Sequence, residues 1–290
     1  MKKFVLQALT LSLLLFAVIF LLPRMSRIET PKVANSPLPT GEQISPSPIP
    51  LLTITPTPQP ELSFSEMNAR YGPCAIVPTL FYHHIENIDQ AKTEGHKWMA
   101  VAPEAFRSQM EYLKNHGYAS IGMQDLINFF DQGTALPHKP ILLTFDDGYD
   151  DVGKNAVPIL EELGLNATLF IPSGLIDNPG YLTWNELENM PSSIERANHT
   201  WSHHNVLGSR DIVTKEIGSA DRQLSDHGMN EPKVFAYPYG PSDALAQEIL
   251  TSFGYKLAFT TAHGSIACKQ KRLELPRIRI GNTPLSTYGL

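Results

Sequence analysis

Ile141-Leu142-Leu143-Thr144-Phe145-Asp146-Asp147-Gly148 is an apolar run that stops on two adjacent carboxylates and a glycine. A run of this kind suits a strand covered on both faces, as in a parallel sheet. Gly148 supplies the backbone freedom of a tight strand-to-loop turn. Successive strand residues face opposite ways, so Asp146 and Asp147 are expected to serve different partners. They sit at the strand's carboxyl end, where α/β folds place their sites. A lone Asp-Asp-Gly is also a common helix-capping sequence, so the reading depends on what else the chain brings to this point.

Around that strand the elements alternate. Ile76–Tyr82 reads as a first strand ending in His83-His84, and a helix over Phe106, Met110 and Leu113 opens at Pro103 and stops at Gly117. A short helix over 123–130 precedes the Asp-Asp strand. Beyond it come a helix through Val157, Leu160 and Leu163, a strand at 167–171, and a helix start capped by Thr183. The strand 194–197 leads into His199-Thr200-Trp201-Ser202-His203-His204. A helix over 211–229, a strand at 234–237, a helix over 244–253 and strands at 257–260 and 277–280 complete the count. Strands alternating with helices predict an α/β fold, either a parallel barrel or a doubly wound sheet.

Composition bounds the rest. The 290 residues are 42% hydrophobic, enough for one large core with attachments. Lys2 and Lys3 precede nineteen uncharged residues, Phe4–Leu22, which is long enough to span a bilayer. No small-x-small cleavage site follows, so residues 1–28 read as a signal anchor holding the rest outside the cytoplasm at the cell membrane, with secretion after signal cleavage as the alternative. Residues 29–60 hold nine prolines among Ser and Thr and read as an extended linker. Residues 61–290 form the expected catalytic domain. Five of the 23 basic and two of the 29 acidic residues lie before residue 61, leaving that domain a formal charge of −9. Such a charge excludes nucleic acid as a natural partner and suits a neutral or cationic polymer. Cys74 and Cys268 stand near the two ends of the domain, and the sequence leaves open whether they pair or are two buried thiols.

Five of the ten histidines fall in two clusters, at 83–84 and 199–204. His199 and His203, with three residues between them, face the same side on a helical turn or a tight loop. Together with Asp147 they make a donor set for a catalytic divalent metal with a position left for water.

Thr144-Phe145-Asp146-Asp147-Gly148, His199-Thr200-Trp201-Ser202-His203 and Phe235-Ala236-Tyr237-Pro238-Tyr239-Gly240 resemble, in order, the three leading motifs of the polysaccharide deacetylase family, the NodB-homology or carbohydrate esterase 4 group. The resemblance covers about residues 72–282. It implies a distorted (β/α) barrel hydrolysing N-acetyl groups on an N-acetylglucosamine polymer. It further implies Asp146 as general base, with Asp147, His199 and His203 on the metal, usually zinc, for which cobalt or nickel can substitute. The Tyr239 amide is implied for the oxyanion site.

Two positions depart from the common pattern. Ala236 stands where many members carry an arginine bracing the catalytic Asp, and Leu275-Pro276-Arg277-Ile278-Arg279-Ile280 lacks the late histidine that serves as acid. Both departures are similar to the poly-β-1,6-N-acetylglucosamine deacetylase branch. In that branch the strand-end histidine is implied as the acid, here His83, with His84 as competitor. Arg277 or Arg279 is the candidate replacement brace. Trp184 and Trp201 are candidates for stacking on sugar faces, with buried packing the competing reading. The expected function is therefore metal-dependent deacetylation of extracellular poly-β-1,6-N-acetylglucosamine. The alternatives are a peptidoglycan or chitin-type deacetylase, or a catalytically silent sugar-binding module.

Overall fold

The structure is a computed structural model that describes residues 62–290. The expected signal anchor at 1–28 and linker at 29–60 lie outside the described residues. Among the described residues no helix is long and apolar enough to cross a membrane.

Of the two architectures left open, the chain adopts the barrel. Seven parallel strands, numbered here among themselves, close on one another: β1 (Thr79–Tyr82), β2 (Pro140–Phe145), β3 (Ala167–Ile171), β4 (Ile194–Asn198), β5 (Val234–Ala236), β6 (Leu257–His263) and β7 (Leu275–Arg279). Closure comes from β1, which pairs Tyr82 with Phe145 on one side and Leu80 with Ile278 on the other. A parallel barrel delivers every strand's carboxyl end to one rim, and all the motif residues follow those ends.

Alternation divides each strand between two environments. On β1, Tyr82 packs outward edge-on against Phe106 of the helix Pro103–Asn115, and Phe145 of β2 meets the same ring. The intervening residues point inward, Phe81 and Thr144 both touching Arg277. Met110 and Leu113 on that helix, and Met123, Leu126 and Phe130 on the helix Met123–Gln132, are fully or almost fully buried. Each such side chain contributes roughly 1.5–3 kcal/mol by leaving water. Val157–Leu163 stops at Gly164, and Met123–Gln132 runs two residues past the expected 130 to stop at Gly133, both glycines in the left-handed region.

One strand expectation is corrected. Ile76–Tyr82 is two strands, divided at Val77-Pro78: Cys74–Ile76 pairs antiparallel with Ile266–Cys268 outside the barrel, and the barrel strand starts at Thr79. Proline lacks the N–H that a continuous ladder requires. The partner strand Ile266–Cys268 and the helix Phe64–Tyr71 were not visible in the sequence pattern. Cys74 and Cys268 are directly opposed in this ribbon and joined by a disulfide, which settles the pairing question and links positions 194 residues apart.

Candidate active site

Two barrel strands supply the donor set. Asp147 follows β2, and His199 and His203 lie on the loop after β4. The loop is a tight one with no helical turn: Thr200 and His203 are left-handed, at φ 69° and 59°. Its shape is held from below. The Asn198 side-chain oxygen accepts the Thr200 N–H at 2.7 Å, and the buried Glu216 accepts the Ser202 N–H and hydroxyl, each at 2.9 Å. The Nδ1 of His199 is 2.7 Å from the Ala236 carbonyl on β5, which fixes that ring and leaves Nε2 for the site.

Asp147 Oδ1 then lies 3.4 Å from His199 Nε2 and 3.0 Å from His203 Nε2. Neither approach has hydrogen-bond geometry, so Oδ1 is buried without a hydrogen-bond partner. Three donor atoms within 4.8 Å of one another, with no hydrogen bond between them, are what ligands of one cation require. The residues therefore fit a divalent metal. Burial alone would raise the Asp147 carboxyl, yet His199 and His203 hold it well below the usual range. His203 is in turn raised, Asp147 outweighing the effect of burial. A divalent cation would take over the charge balance that imidazolium otherwise supplies.

Asp146 faces a different partner, as alternation requires. Arg277 on β7, with no exposed surface, grips it with both ends of the guanidinium: Nη1 to Oδ1 at 2.8 Å and Nη2 to Oδ2 at 2.7 Å. Two further donors reach the Thr260 carbonyl at 2.9 Å and the Thr144 hydroxyl at 3.2 Å, and the Phe81 ring covers one face, 4.3 Å away. The brace is thus Arg277. Arg279 lies instead over the exposed Trp98 ring, at 4.5 Å. Burial raises the Asp146 carboxyl, but Arg277 and then His199 outweigh it and bring it below its ordinary value, so it is ionised at neutral pH.

His83 and His84 part company at the end of β1. The Asp146 N–H donates to the Tyr82 carbonyl at 2.9 Å, which sets His83 beside Asp146. His84 turns away to Asp151, with Nδ1 2.7 Å from its carboxylate. His83 is half-buried, and desolvation draws its pKa down to about 4 against the pull of Asp146 and Asp147. Tyr239 follows β5 in a left-handed conformation, φ 63°, with its ring exposed and edge-on to His203 at 4.8 Å. Its amide N–H has no acceptor among the described residues.

The two tryptophans are in packing contacts. Trp184 stacks face to face on His227 at 4.0 Å, and Trp201 is pressed against Gly174, where an added Cβ would come within 2.6 Å of its ring nitrogen. Each thus has a packing neighbour, as the competing reading of these residues requires.

The chain is similar to known proteins in sequence and fold. The family model described as polysaccharide deacetylase matches residues 133–258. The poly-beta-1,6-N-acetyl-D-glucosamine N-deacetylase of Escherichia coli K12 is 28% identical over 249 residues, 70% of this chain. The chain spans only 36% of that protein's length. Among solved structures, the Streptococcus pyogenes deacetylase PplD in complex with acetate superposes with a TM-score of 0.65 at 28% identity, covering 70% of this chain and 92% of that one. IcaB from Ammonifex degensii, 23% identical, shares the fold, with a TM-score of 0.62 over 72% of this chain and 93% of its own.

Replacing Arg277 by Gln should destabilise the protein by roughly 3–5 kcal/mol at neutral pH, the usual consequence of leaving one member of a buried ion pair alone. The depressed Asp146 pKa contributes stability that is complete above the unfolded value and lost as pH falls through the lower folded value. In the variant, desolvation acts unopposed by the guanidinium and the carboxyl rises. The stability gap between variant and wild type should therefore narrow on acidification, measured by denaturant melts at neutral and acidic pH. A gap independent of pH would show that Arg277 does not act through the Asp146 charge.

Proposed function

From the premise that the chain carries a polysaccharide deacetylase domain, an amide-hydrolysing unit, we propose that it removes N-acetyl groups from poly-β-1,6-N-acetylglucosamine. The observation that carries the reading is the orphaned Asp147 Oδ1 facing His199 and His203, one residue from a carboxylate braced by Arg277. The name of the E. coli relative supports the β-1,6 polymer as substrate. A silent sugar-binding module would have no use for a buried, preorganised donor set. Peptidoglycan and chitin remain the rival substrates, since the metal and base chemistry is common to all three.

Asp147, His199 and His203 would hold the cation, which supplies a water of lowered pKa and charge stabilisation for the carbonyl oxygen. Asp146 takes the proton from the attacking water at a carboxylate oxygen that Arg277 keeps ionised and aimed. The Tyr239 N–H, free of any internal acceptor among the described residues, is available to the developing oxyanion. His83 enters neutral, because its pKa is about 4, and must take up a proton before passing it to the departing amine. Its position beside Asp146 makes that carboxylate the natural source. For the residues before 62, the uncharged stretch Phe4–Leu22 supports a membrane anchor that leaves the domain outside the cytoplasm.

Acetate release should be measured on the β-1,6 polymer, chitin oligomers and peptidoglycan in parallel, with turnover expected on the first. Chelation should abolish it, and zinc, cobalt or nickel should restore it. Asp147→Ala should lose turnover together with its bound ion, whereas Asp146→Asn should keep the ion and lose turnover. Acetate from peptidoglycan or chitin alone would overturn the substrate assignment, and full activity in demetallated enzyme would overturn the chemistry.

His83→Ala should lower amide hydrolysis about 10²- to 10⁴-fold, the usual effect of removing a general acid. An acetyl ester with a good leaving group needs less protonation and should suffer far less. An equal loss on ester and amide would remove His83 from the acid role. Membrane fractions should retain full-length chain resistant to alkaline carbonate; a soluble product beginning after residue 30 would replace the anchor by a cleaved segment.

A further inference from the structure

Beside the site just described, on the outer side of the loops after β1 and β2, lies a cavity of about 1020 Å³ lined in part by His84, Glu86, His96, Tyr149 and Asp151. Two imidazoles and two carboxylates converge on its wall. His96 Nε2 is 2.5 Å and His84 Nδ1 3.6 Å from Glu86 Oε1, and His84 Nδ1 is 2.7 Å from Asp151 Oδ2. The ligand-capable atoms of His84, Glu86 and His96 all lie within 4.8 Å of one another, meeting the same limit as the set at Asp147. Ligands of one tetrahedral zinc, each about 2.0–2.1 Å from the ion, stand roughly 3.3 Å apart, which small side-chain adjustments would reach from here.

The carboxylates of this cluster have histidines as their only basic partners among the described residues. His84 and Glu86 are each only 7% exposed, and no Lys or Arg pairs with Glu86 or Asp151 among the described residues. Lys154, three residues after Asp151, is paired with Asp150 at 2.6 Å. The buried Glu86, the half-buried Asp151 and the exposed Glu94, 3.7 Å from His96 Nε2, therefore face two histidines. The two rings stack nearly parallel at 4.3 Å, which holds both at the same end of the cavity wall. A divalent ion held by the ring nitrogens and carboxylates would supply positive charge that no Lys or Arg brings here.

The donors are also held in place from behind. Asp151 Oδ1 accepts the Ile85 N–H at 2.6 Å, leaving Oδ2 for the cluster, and Asn155 donates to the Ile85 carbonyl at 2.6 Å. Tyr149 stacks on the second face of His84 at 3.7 Å. Supporting contacts of this kind fix ring orientation and carboxylate direction in metal sites.

We propose that His84, Glu86, His96 and Asp151 form a second metal site, separate from that at Asp147, for a borderline divalent cation such as Zn²⁺. Its mixed nitrogen and carboxylate donors suit zinc or a neighbouring transition ion and not magnesium. The ion ties the loop that carries His83 to the loop that carries Asp146 and Asp147, since His84 follows the one and Asp151 closes the other. The cavity gives it an open path from solvent.

The test is metal content and melting of the full chain, purified in mild detergent, stripped and reloaded with zinc alone. Wild type should hold two equivalents per chain, Asp147→Ala one, His96→Gln or Glu86→Gln one, and Asp147→Ala with His96→Gln none. In Asp147→Ala, which retains only the proposed site, zinc should raise the melting temperature, and adding His96→Gln should abolish the rise. Two conservative variants guard against misfolding at either position, with circular dichroism as the control. A single equivalent in wild type that disappears in Asp147→Ala would overturn the proposal, as would zinc content unchanged by both His96→Gln and Glu86→Gln. A single equivalent lost in His96→Gln but kept in Asp147→Ala would support this site and sink the assignment at Asp147.

Discussion

A guanidinium with no exposed surface sits inside a barrel of apolar side chains, and the chain must neutralise it. A buried charge without a partner costs several kcal/mol, so Arg277 fixes the place of the one carboxylate that answers it. That carboxylate is Asp146, held through both oxygens. Thr144, Thr260 and Phe81 take up two further donors and one face, which holds the pair in this arrangement. Since Arg277 belongs to β7 and Asp146 follows β2, the pair also locks strands on either side of β1, where the barrel closes. The direction of the base and the closure of the fold thus rest on the same contact.

Two adjacent aspartates can do separate work only if the backbone separates them. Strand alternation takes Asp146 inward with Thr144. It would send Asp147 outward with Phe145, but Asp147 leaves the strand in a left-handed conformation, φ 75°, and its carboxylate meets His199 and His203 instead. Thr200, His203 and Tyr239 on the same rim share that unfavourable region. Each such residue costs on the order of 1–3 kcal/mol, and the surrounding structure must over-determine it. The hydrogen bonds from the histidine loop to Asn198 and Glu216 supply part of that support.

The sequence showed the alternating elements, the three motifs and the His199–His203 spacing, because these are local properties; the joining of Asp147 to those histidines came from the order of the motifs and the resemblance they carry. It did not show which arginine braces Asp146. Arg277 and Arg279 are two apart on one strand and so share its inner face; only their depth differs, Arg277 within the barrel and Arg279 at the rim over Trp98. Depth is set by the register of β7 against β1, which pairs Leu80 with Ile278 and which no local pattern encodes. The tryptophans were ambiguous for a related reason. A Trp near a site reads the same whether it faces solvent or, as Trp184 does, a histidine that follows another helix. The split at Val77-Pro78 was readable from the proline, but the antiparallel partner at Ile266–Cys268 lies far along the chain, its Cys268 194 residues from Cys74.

The dipeptide His83-His84 shows how one local rule serves two centres. Alternation lets only one of two neighbouring imidazoles face the barrel mouth. His83 takes that position beside Asp146, and His84 is left facing outward, where Asp151, Tyr149 and His96 receive it. Neither ring can change sides without moving the backbone that carries the other, and Ile85 is held to the loop after β2 through Asp151 and Asn155. The position of His83 is therefore set from outside the barrel as much as from within. A side chain that must approach a leaving group from one direction gains its orientation from contacts that never touch the substrate.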